Sequence, residues 1–361
     1  MSDAPIFVVG ASRSGTNLVR ALLNGHSGVW VSGETHYFDD LRPRLPDNGG
    51  KALEGADRER CEDYFLALSH RAFGQAGNPG RSRLDRAELR SLAAELGGTG
   101  DAYFEAICRL RARARGRPRW GEKTPRHVYR IDELLGAFPR AKVVCLVRDP
   151  RAVVASYRDW HGAAARRSVS ERPELTADRE RTRRSFDVLL MSLLWRAVVR
   201  RSFAALKEHG PDRVRIQCFE RLAADAEAEV HDLCDWLALE FEPALLEVTV
   251  VNSSYATAGT GVSAEPVGRW REALSCAEVG VVQWCCGQLM DELGYEQKPV
   301  EVSRLRLAAA WAVLPIAAAR AAIVNRSRLG RVTQYVGRRA ASAFAHGRLV
   351  TGQSRGARPS A

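Results

Sequence analysis

The 361-residue sequence predicts an α/β fold, a P-loop-type parallel β-sheet flanked by helices. Three observations predict it. Short apolar runs alternate with helical patterns along the chain, as strands and crossover helices of a parallel sheet do. The first run, Ile6–Val9, ends at Gly10 and passes through a small-polar loop into a helical pattern from Thr16, so a strand feeds a loop and a helix N-terminus. A later run, KVVCLV at Lys142–Val147, shows no alternation, as expected of a strand buried on both faces.

The remaining elements follow in order. A helix is predicted over about Thr16–Asn24 and a short second strand over Val29–Val31. Residues 42–100 are rich in Gly, Arg and Asp, with helical patches near 58–73 and 86–96, and read as an insertion covering the substrate side. A helix carrying Leu134, Leu135 and Phe138 precedes the 142–147 strand, which ends at Arg148-Asp149-Pro150 and is followed by a helix over about Arg151–Trp160. Residues 161–184, rich in Arg and Glu, read as a loop or lid. A long helix over about Phe186–His209 leads into a strand at Val214–Phe219, and a further amphipathic helix covers about Ala226–Leu237. Residues 250–268 have loop composition, and Cys276–Leu293 closes a catalytic domain expected over 1–298. Residues 299–361 form a basic, partly amphipathic helical tail.

Charge narrows the function classes. Of the net +11, residues 301–361 carry +10, from eleven arginines and one acid, which leaves the main domain nearly neutral. The basicity therefore belongs to the tail, and without interleaved aromatics it does not read as a nucleic-acid arm. The N-terminus lacks a basic segment before its first apolar run, and that run is too short for a signal peptide, so a cytoplasmic location is expected. The eight cysteines show no C-x-x-C pair, and reduced structural thiols are expected. The arginine-over-lysine bias and the alanine content point to a GC-rich bacterial genome.

The chemistry concentrates at two motifs. Gly10 to Thr16 approaches the nucleotide loop G-x-x-x-x-G-K-[ST], but Thr16 follows Gly15 directly and the lysine is absent. Backbone groups of Gly10, Ser12, Arg13, Ser14, Gly15, Thr16 and Asn17 are placed to cradle a phosphate, with Arg13 as the loop's only cation. The second motif is Arg148 at the end of a buried strand, with Ser156 two helical turns further on, a pair able to grip another phosphate. Alternatively, Asp149 caps the helix and Arg148 pairs with a surface acid.

With both motifs in this order and no Walker lysine, the chain resembles the sulfotransferases that use 3′-phosphoadenosine-5′-phosphosulfate (PAPS). The likeness is to their carbohydrate and tyrosylprotein branches and covers about residues 5–295. It implies that the first loop binds the 5′-phosphosulfate, that Arg148 and Ser156 bind the 3′-phosphate, and that Phe219 in Phe219-Glu220-Arg221-Leu222 lies beside the adenine. Gly268-Arg269-Trp270 resembles the family's nucleotide-closing loop, although residues 263–265 (Ser, Ala, Glu) lack the basic triplet that often precedes it. Ser32-Gly33-Glu34-Thr35-His36 resembles the segment that carries the catalytic base, which falls on Glu34, with His36 as the rival. A carboxylate base needs either a raised proton affinity or an acceptor held close to it. Trp120-Gly121-Glu122-Lys123-Thr124-Pro125 resembles an element that brings a lysine, here Lys123, near the sulfuryl group; it also reads as a helix start with Thr124 as N-cap.

The resemblance implies sulfuryl transfer to a hydroxyl of a sugar, glycolipid or natural product, with Arg13 and Lys123 neutralising the leaving phosphate and no metal required. Two other readings stay open: a kinase or NTPase of the same fold, for which Asp149 is the available Mg²⁺ aspartate, and an inactive nucleotide-binding module at a membrane. In the tail, Leu305–Val324 is apolar but interrupted by Arg306, Pro315 and Arg320. It reads as peripheral contact with the anionic inner membrane face through residues 305–340, or as helices packed on the domain or a partner, rather than as a span.

Overall fold

The computed structural model describes residues 4–68, 84–160, 180–248 and 261–325. Most of the expected lid at 161–184, much of the 250–268 loop, part of the first helical patch of the insertion and the arginines from 326 onward lie outside the described residues.

Five strands form one fully parallel sheet: β1 (Ile6–Gly10), β2 (Val29–Ser32), β3 (Arg119–Lys123), β4 (Lys142–Val147) and β5 (Val214–Cys218), in the order β2-β3-β1-β4-β5. Alternate side chains serve two cores. Ile6 and Val8 of β1 with Val144 and Leu146 of β4 face one, and Phe7 and Val9 with Val143, Cys145 and Val147 face the other. Both faces are therefore apolar, which is why these strands show no polar alternation.

Helix α1 (Thr16–Gly25) connects β1 to β2 on the first core's face. Between β2 and β3 come α2 (Tyr37–Asp40), α3 (Gly55–Ala67), α4 (Arg86–Glu95) and α5 (Gly100–Arg113). Helix α6 (Ile131–Ala137) joins β3 to β4 on the face opposite α1, as a single crossover hand requires for steps in opposite directions. Helices α7 (Pro150–Asp159) and α8 (Val188–His209) precede β5, and α9 (Phe219–Ala224) and α10 (Ala226–Leu237) follow it. The short α11 (Glu265–Gly268) and α12 (Trp270–Ala273) lead to α13 (Cys276–Leu293) and α14 (Arg304–Val324).

Three elements depart from the sequence reading. Strand β3 was not expected, because RWGEK has neither apolar continuity nor alternation, yet all five residues are buried. Helix α5 was not expected either; its Phe104 stacks on Tyr37 at 5.1 Å and meets Trp120 edge-on at 6.0 Å, so the segment from α2 to α5 extends the core. Thr124 stands at the N-cap of a short 3-10 turn with Pro125 at its start, but its side chain makes no capping bond.

The eight cysteines are unpaired thiols, seven of them buried. The helix expected in the tail is present as α14 and runs continuously through Pro315. It packs on the domain through Leu307, Ala310 and Leu314, while Leu305 is 84% exposed and Ile316 70%.

Candidate active site

The chemistry gathers at the C-terminal edge of the sheet, where each strand hands over a different group. The loop after β1 carries Arg13, the segment after β2 carries Glu34, β3 ends on Lys123, and Arg148 and Phe219 directly follow β4 and β5. Strands β1 and β4 flank the point where the strand order reverses, the usual ligand crevice of open α/β sheets.

The loop after β1 is shaped for an anion. Gly10 (φ +139°) and Gly15 (φ +96°) occupy backbone conformations that suit glycine, and a Cβ on Gly10 would lie 2.5 Å from the Leu146 carbonyl oxygen. Helix α1 starts at Thr16 with no side-chain cap and no acid in its first turn, so its N-terminal dipole is uncompensated there. Ser14 Oγ is fully buried and has no hydrogen-bond partner among the described residues, an orphan that a bound oxyanion would satisfy.

The second motif meets the first. Arg148 is buried and donates from Nη1 to the Arg13 carbonyl (3.0 Å) and from Nη2 to the Pro266 carbonyl (2.7 Å). Arg13 Nε donates to Ser156 Oγ at 3.1 Å, and its guanidinium lies 4.3 Å from the Trp160 ring centre. Phe219 closes the group: Arg148 stacks over its ring at 4.3 Å, and a Cβ on Gly15 would reach 2.5 Å from its Cδ2. Phe219 begins α9 rather than ending the strand, a one-residue shift from the expected boundary. Asp149 takes the capping role the sequence allowed, accepting from Arg151 N at 2.8 Å and pairing with the Arg151 guanidinium. Arg148 itself turns inward to backbone carbonyls.

Across the loop, Glu34 Oε1 lies 2.5 Å from Lys123 Nζ, and Glu34 Oε2 lies 3.1 Å from His36 Nε2. Burial opposes ionisation of Glu34, but the Lys123 charge and the His36 hydrogen bond outweigh it and hold the carboxyl well below its usual range. This corrects one of the two conditions set for a carboxylate base: the proton affinity is lowered, so the acceptor must be held close. His36 is lowered to about 4, by burial first and the Arg126 charge second, against the opposing pull of Glu34. It is therefore neutral at physiological pH, with its Nε2 facing the Glu34 carboxylate.

Gly268, Arg269 and Trp270 stand where the short α11 passes into α12. Trp270 is buried under the Arg151 guanidinium, 3.9 Å from its ring centre, and Arg269 pairs with Glu265 at 3.5 Å. A hydrogen bond from Arg148 to the Pro266 carbonyl links α11 to the site, and Gly268 ends that helix two residues on.

A model described as the sulfotransferase family matches residues 5–243. The chain belongs to that family. A protein of Aquifex aeolicus (strain VF5), described as uncharacterized, is 24% identical over 279 residues, covering 75% of this chain and 31% of that protein. The chain thus spans about a third of the length of this curated relative. Among solved structures, the sulfotransferase domain of the Synechococcus PCC 7002 olefin synthase is 18% identical, with a TM-score of 0.45 over 78% of this chain and 94% of that one. The sulfotransferase domain from the curacin biosynthetic pathway is also 18% identical, with a TM-score of 0.47 over 82% and 99%.

In this sulfotransferase-family chain several site groups were not foreseen. Trp160 faces Arg13, Arg20 of α1 lies within electrostatic reach of Glu34, and the buried Glu122 accepts hydrogen bonds from the residue after Glu34. Only Glu122 had a usable signal, its place beside Lys123 in the same short motif. Among the described residues, one trio of ligand-type side chains clusters, Asp132, Glu208 and His209; it was not foreseen, and Asp132 is already paired with Arg201 and, at 2.9 Å, with His209.

Proposed function

We propose that this chain is a PAPS-dependent O-sulfotransferase acting on a hydroxyl of a sugar, glycolipid or natural product. The observation that carries the reading is the meeting of two anion grips at the β1–β4 switch point, with Arg148 3.0 Å from the Arg13 carbonyl and Ser156 3.1 Å from Arg13 Nε. One adenosine bearing phosphates at both its 5′ and 3′ positions would use both grips, whereas ATP and GTP lack the 3′ group. When bound, PAPS supplies the sulfuryl group and a phosphate that leaves. The loop amides and Ser14 hold the 5′ end, Arg148 and Ser156 hold the 3′ end, and Phe219 offers the base an apolar face. Arg269 and Trp270 are assigned to the closing segment.

Glu34 orients the acceptor and takes its hydroxyl proton on a carboxylate oxygen. A carboxylate of low proton affinity suffices because the hydroxyl becomes more acidic as its oxygen bonds to sulfur, so the transfer falls late in the step. His36 packs against Glu34 with Nε2 at 3.1 Å and is not assigned as the base. Arg13 and Lys123 place positive charge where the leaving phosphate develops negative charge. The phosphotransferase reading has little support, since Asp149 is committed to Arg151 and to the helix cap.

Calorimetry with 3′,5′-adenosine bisphosphate against ADP tests the donor class: the bisphosphate should bind more tightly, and tighter ADP binding would refute the reading. Glu34→Gln should lose about 10²–10⁴-fold in kcat with bisphosphate affinity retained. Absence of turnover in the parent with PAPS, across lipid and sugar extracts, would favour an inactive module.

We also assign peripheral attachment at the cytoplasmic face of an anionic membrane to α14 and the arginines beyond it. Trp284 of α13, 53% exposed, meets Trp311 edge-on at 5.9 Å, forming an exposed aromatic patch with α14, the helix that also carries Arg304, Arg306 and Arg320.

A further inference from the structure

We propose that Glu122 is the positioning residue of this site, a buried carboxylate that sets the Glu34–Lys123 pair by tying the segment after β2 to the end of β3. The inference rests on the assignment of Glu34 as the base.

The β2–β3 ladder stops at the pair Ser32↔Glu122, and Glu34 and Lys123 both lie beyond it. Lys123 is held in the sheet by its pairing with Val8 of β1, so it is the approach of Glu34 that is set by side chains rather than by sheet hydrogen bonds. Glu122 is fully buried and supplies that link. Its Oε1 accepts from Thr35 N at 2.9 Å, from Thr35 Oγ1 at 2.9 Å and from Thr124 Oγ1. Thr124 Oγ1 in turn accepts from Thr35 N at 3.2 Å and His36 N at 3.4 Å. One carboxylate oxygen and one hydroxyl thus clamp the residues that follow Glu34 onto the residues that flank Lys123.

The clamp also explains a strained residue. His36 has φ 57°, a left-handed conformation uncommon for residues other than glycine, and in this turn its Nε2 lies 3.1 Å from Glu34. Tyr64 of α3 supports the same turn by donating to the Thr35 carbonyl at 2.6 Å. On its other side Glu122 Oε2 lies 3.3 Å from His127 Nδ1. A buried carboxylate is expensive to keep, and here its cost is offset by donors that all belong to the site's own segments. Burial opposes its ionisation, and His127 with the threonine donors prevails, so Glu122 is held ionised.

The charged and titratable groups facing Glu34 are Lys123 from β3, His36 from its own segment and Arg20 from α1. Arg126 and Asp40 face His36, while His127 and Cys108 face Glu122. Loosening the clamp should let Glu34 drift from Lys123 and recover its ordinary titration without touching the phosphate grips.

The test is a carboxyl ¹³C NMR titration of the donor-free enzyme, with the Glu34 signal assigned by its loss in Glu34→Gln. In Glu122→Leu the Glu34 midpoint should rise by about one pH unit or more, the share an adjacent opposite charge supplies. The bisphosphate Kd should stay within about twofold and kcat should fall at least about tenfold, as a displaced base does without loss of binding. Glu122→Gln, which keeps one acceptor oxygen, should lie between. Thr124→Val should repeat the shift if Glu122→Leu fails to fold, and Thr124→Ser, which restores the hydroxyl, should titrate like the parent. A folded variant with an unchanged Glu34 midpoint overturns the inference. Because the midpoint is read without donor, a parent enzyme inactive with PAPS would refute the functional assignment alone.

Discussion

Replacing Arg148 by alanine separates a true 3′-phosphate grip from a residue that merely braces the loop. Arg148 is buried, with its guanidinium between the Phe219 ring at 4.3 Å and the carbonyls of Arg13 and Pro266 at 3.0 and 2.7 Å. Truncation therefore removes a cation from the site and also leaves two carbonyls short of a donor. A hydrogen bond to a charged group contributes about 1.5–3 kcal/mol, or roughly a tenfold to hundredfold change in Kd. The loss of bracing affects any nucleotide alike. Calorimetry with two ligands resolves the two contributions: 3′,5′-adenosine bisphosphate should weaken by about tenfold to a hundredfold, and 5′-AMP, lacking the 3′ group, by less than about threefold. Arg148→Lys should fall between, since it keeps the charge but loses the planar fork. Equal weakening of both ligands would show that Arg148 acts only through the loop backbone, and the two-grip argument would fail with it.

Other expectations test separate parts of the structure. His36 binds its proton less tightly when folded (about 4) than its ordinary value of 6.5, so between those values the unfolded chain holds more protons and stability falls as the pH falls. The full window corresponds to about 3 kcal/mol; urea unfolding across it should show this slope in the parent and lose it in His36→Gln, and equal slopes would contradict the buried neutral ring. Gly15→Ala sets a Cβ 2.5 Å from the Phe219 ring in a backbone with φ +96°, and should lower the melting temperature and weaken bisphosphate binding. Combining it with Phe219→Ala should cost less than the sum of the single changes, because the clash is relieved while the backbone strain stays. Cosedimentation with anionic vesicles should fall in the double variant Trp284→Ser/Trp311→Ser and in high salt, and binding to neutral vesicles should be weak in the parent; salt-independent binding would point to insertion instead.

The parts of this site that were legible in the sequence are those where one residue type has one physical use. Gly10 and Gly15 punctuate a strand and open a helix, and both stand at positive φ in the structure. The apolar run of β4 announced a strand buried on both faces, and Arg148 at its end was bound to emerge at the sheet edge. Strand β3 was illegible for the opposite reason. In RWGEK the charged side chains are buried by partners far along the chain: Arg119 donates to the carbonyls of Ala4 and Leu237, both at 2.6 Å, and Lys123 reaches Glu34. Hydrophobic periodicity reads burial by water avoidance, and it is blind to burial secured by specific pairing. The same blindness hid Glu122, whose donors come from residues 35 and 124, and it hid the tuning of Glu34, since a partner from β3 decides the sign of the shift. Spacing along the chain could nominate the acid and the lysine separately. The parallel pairing of β2 with β3 brings the two segments to one sheet edge, and the contact of Glu34 with Lys123 just beyond that pairing is what holds the carboxylate ionised against a cation.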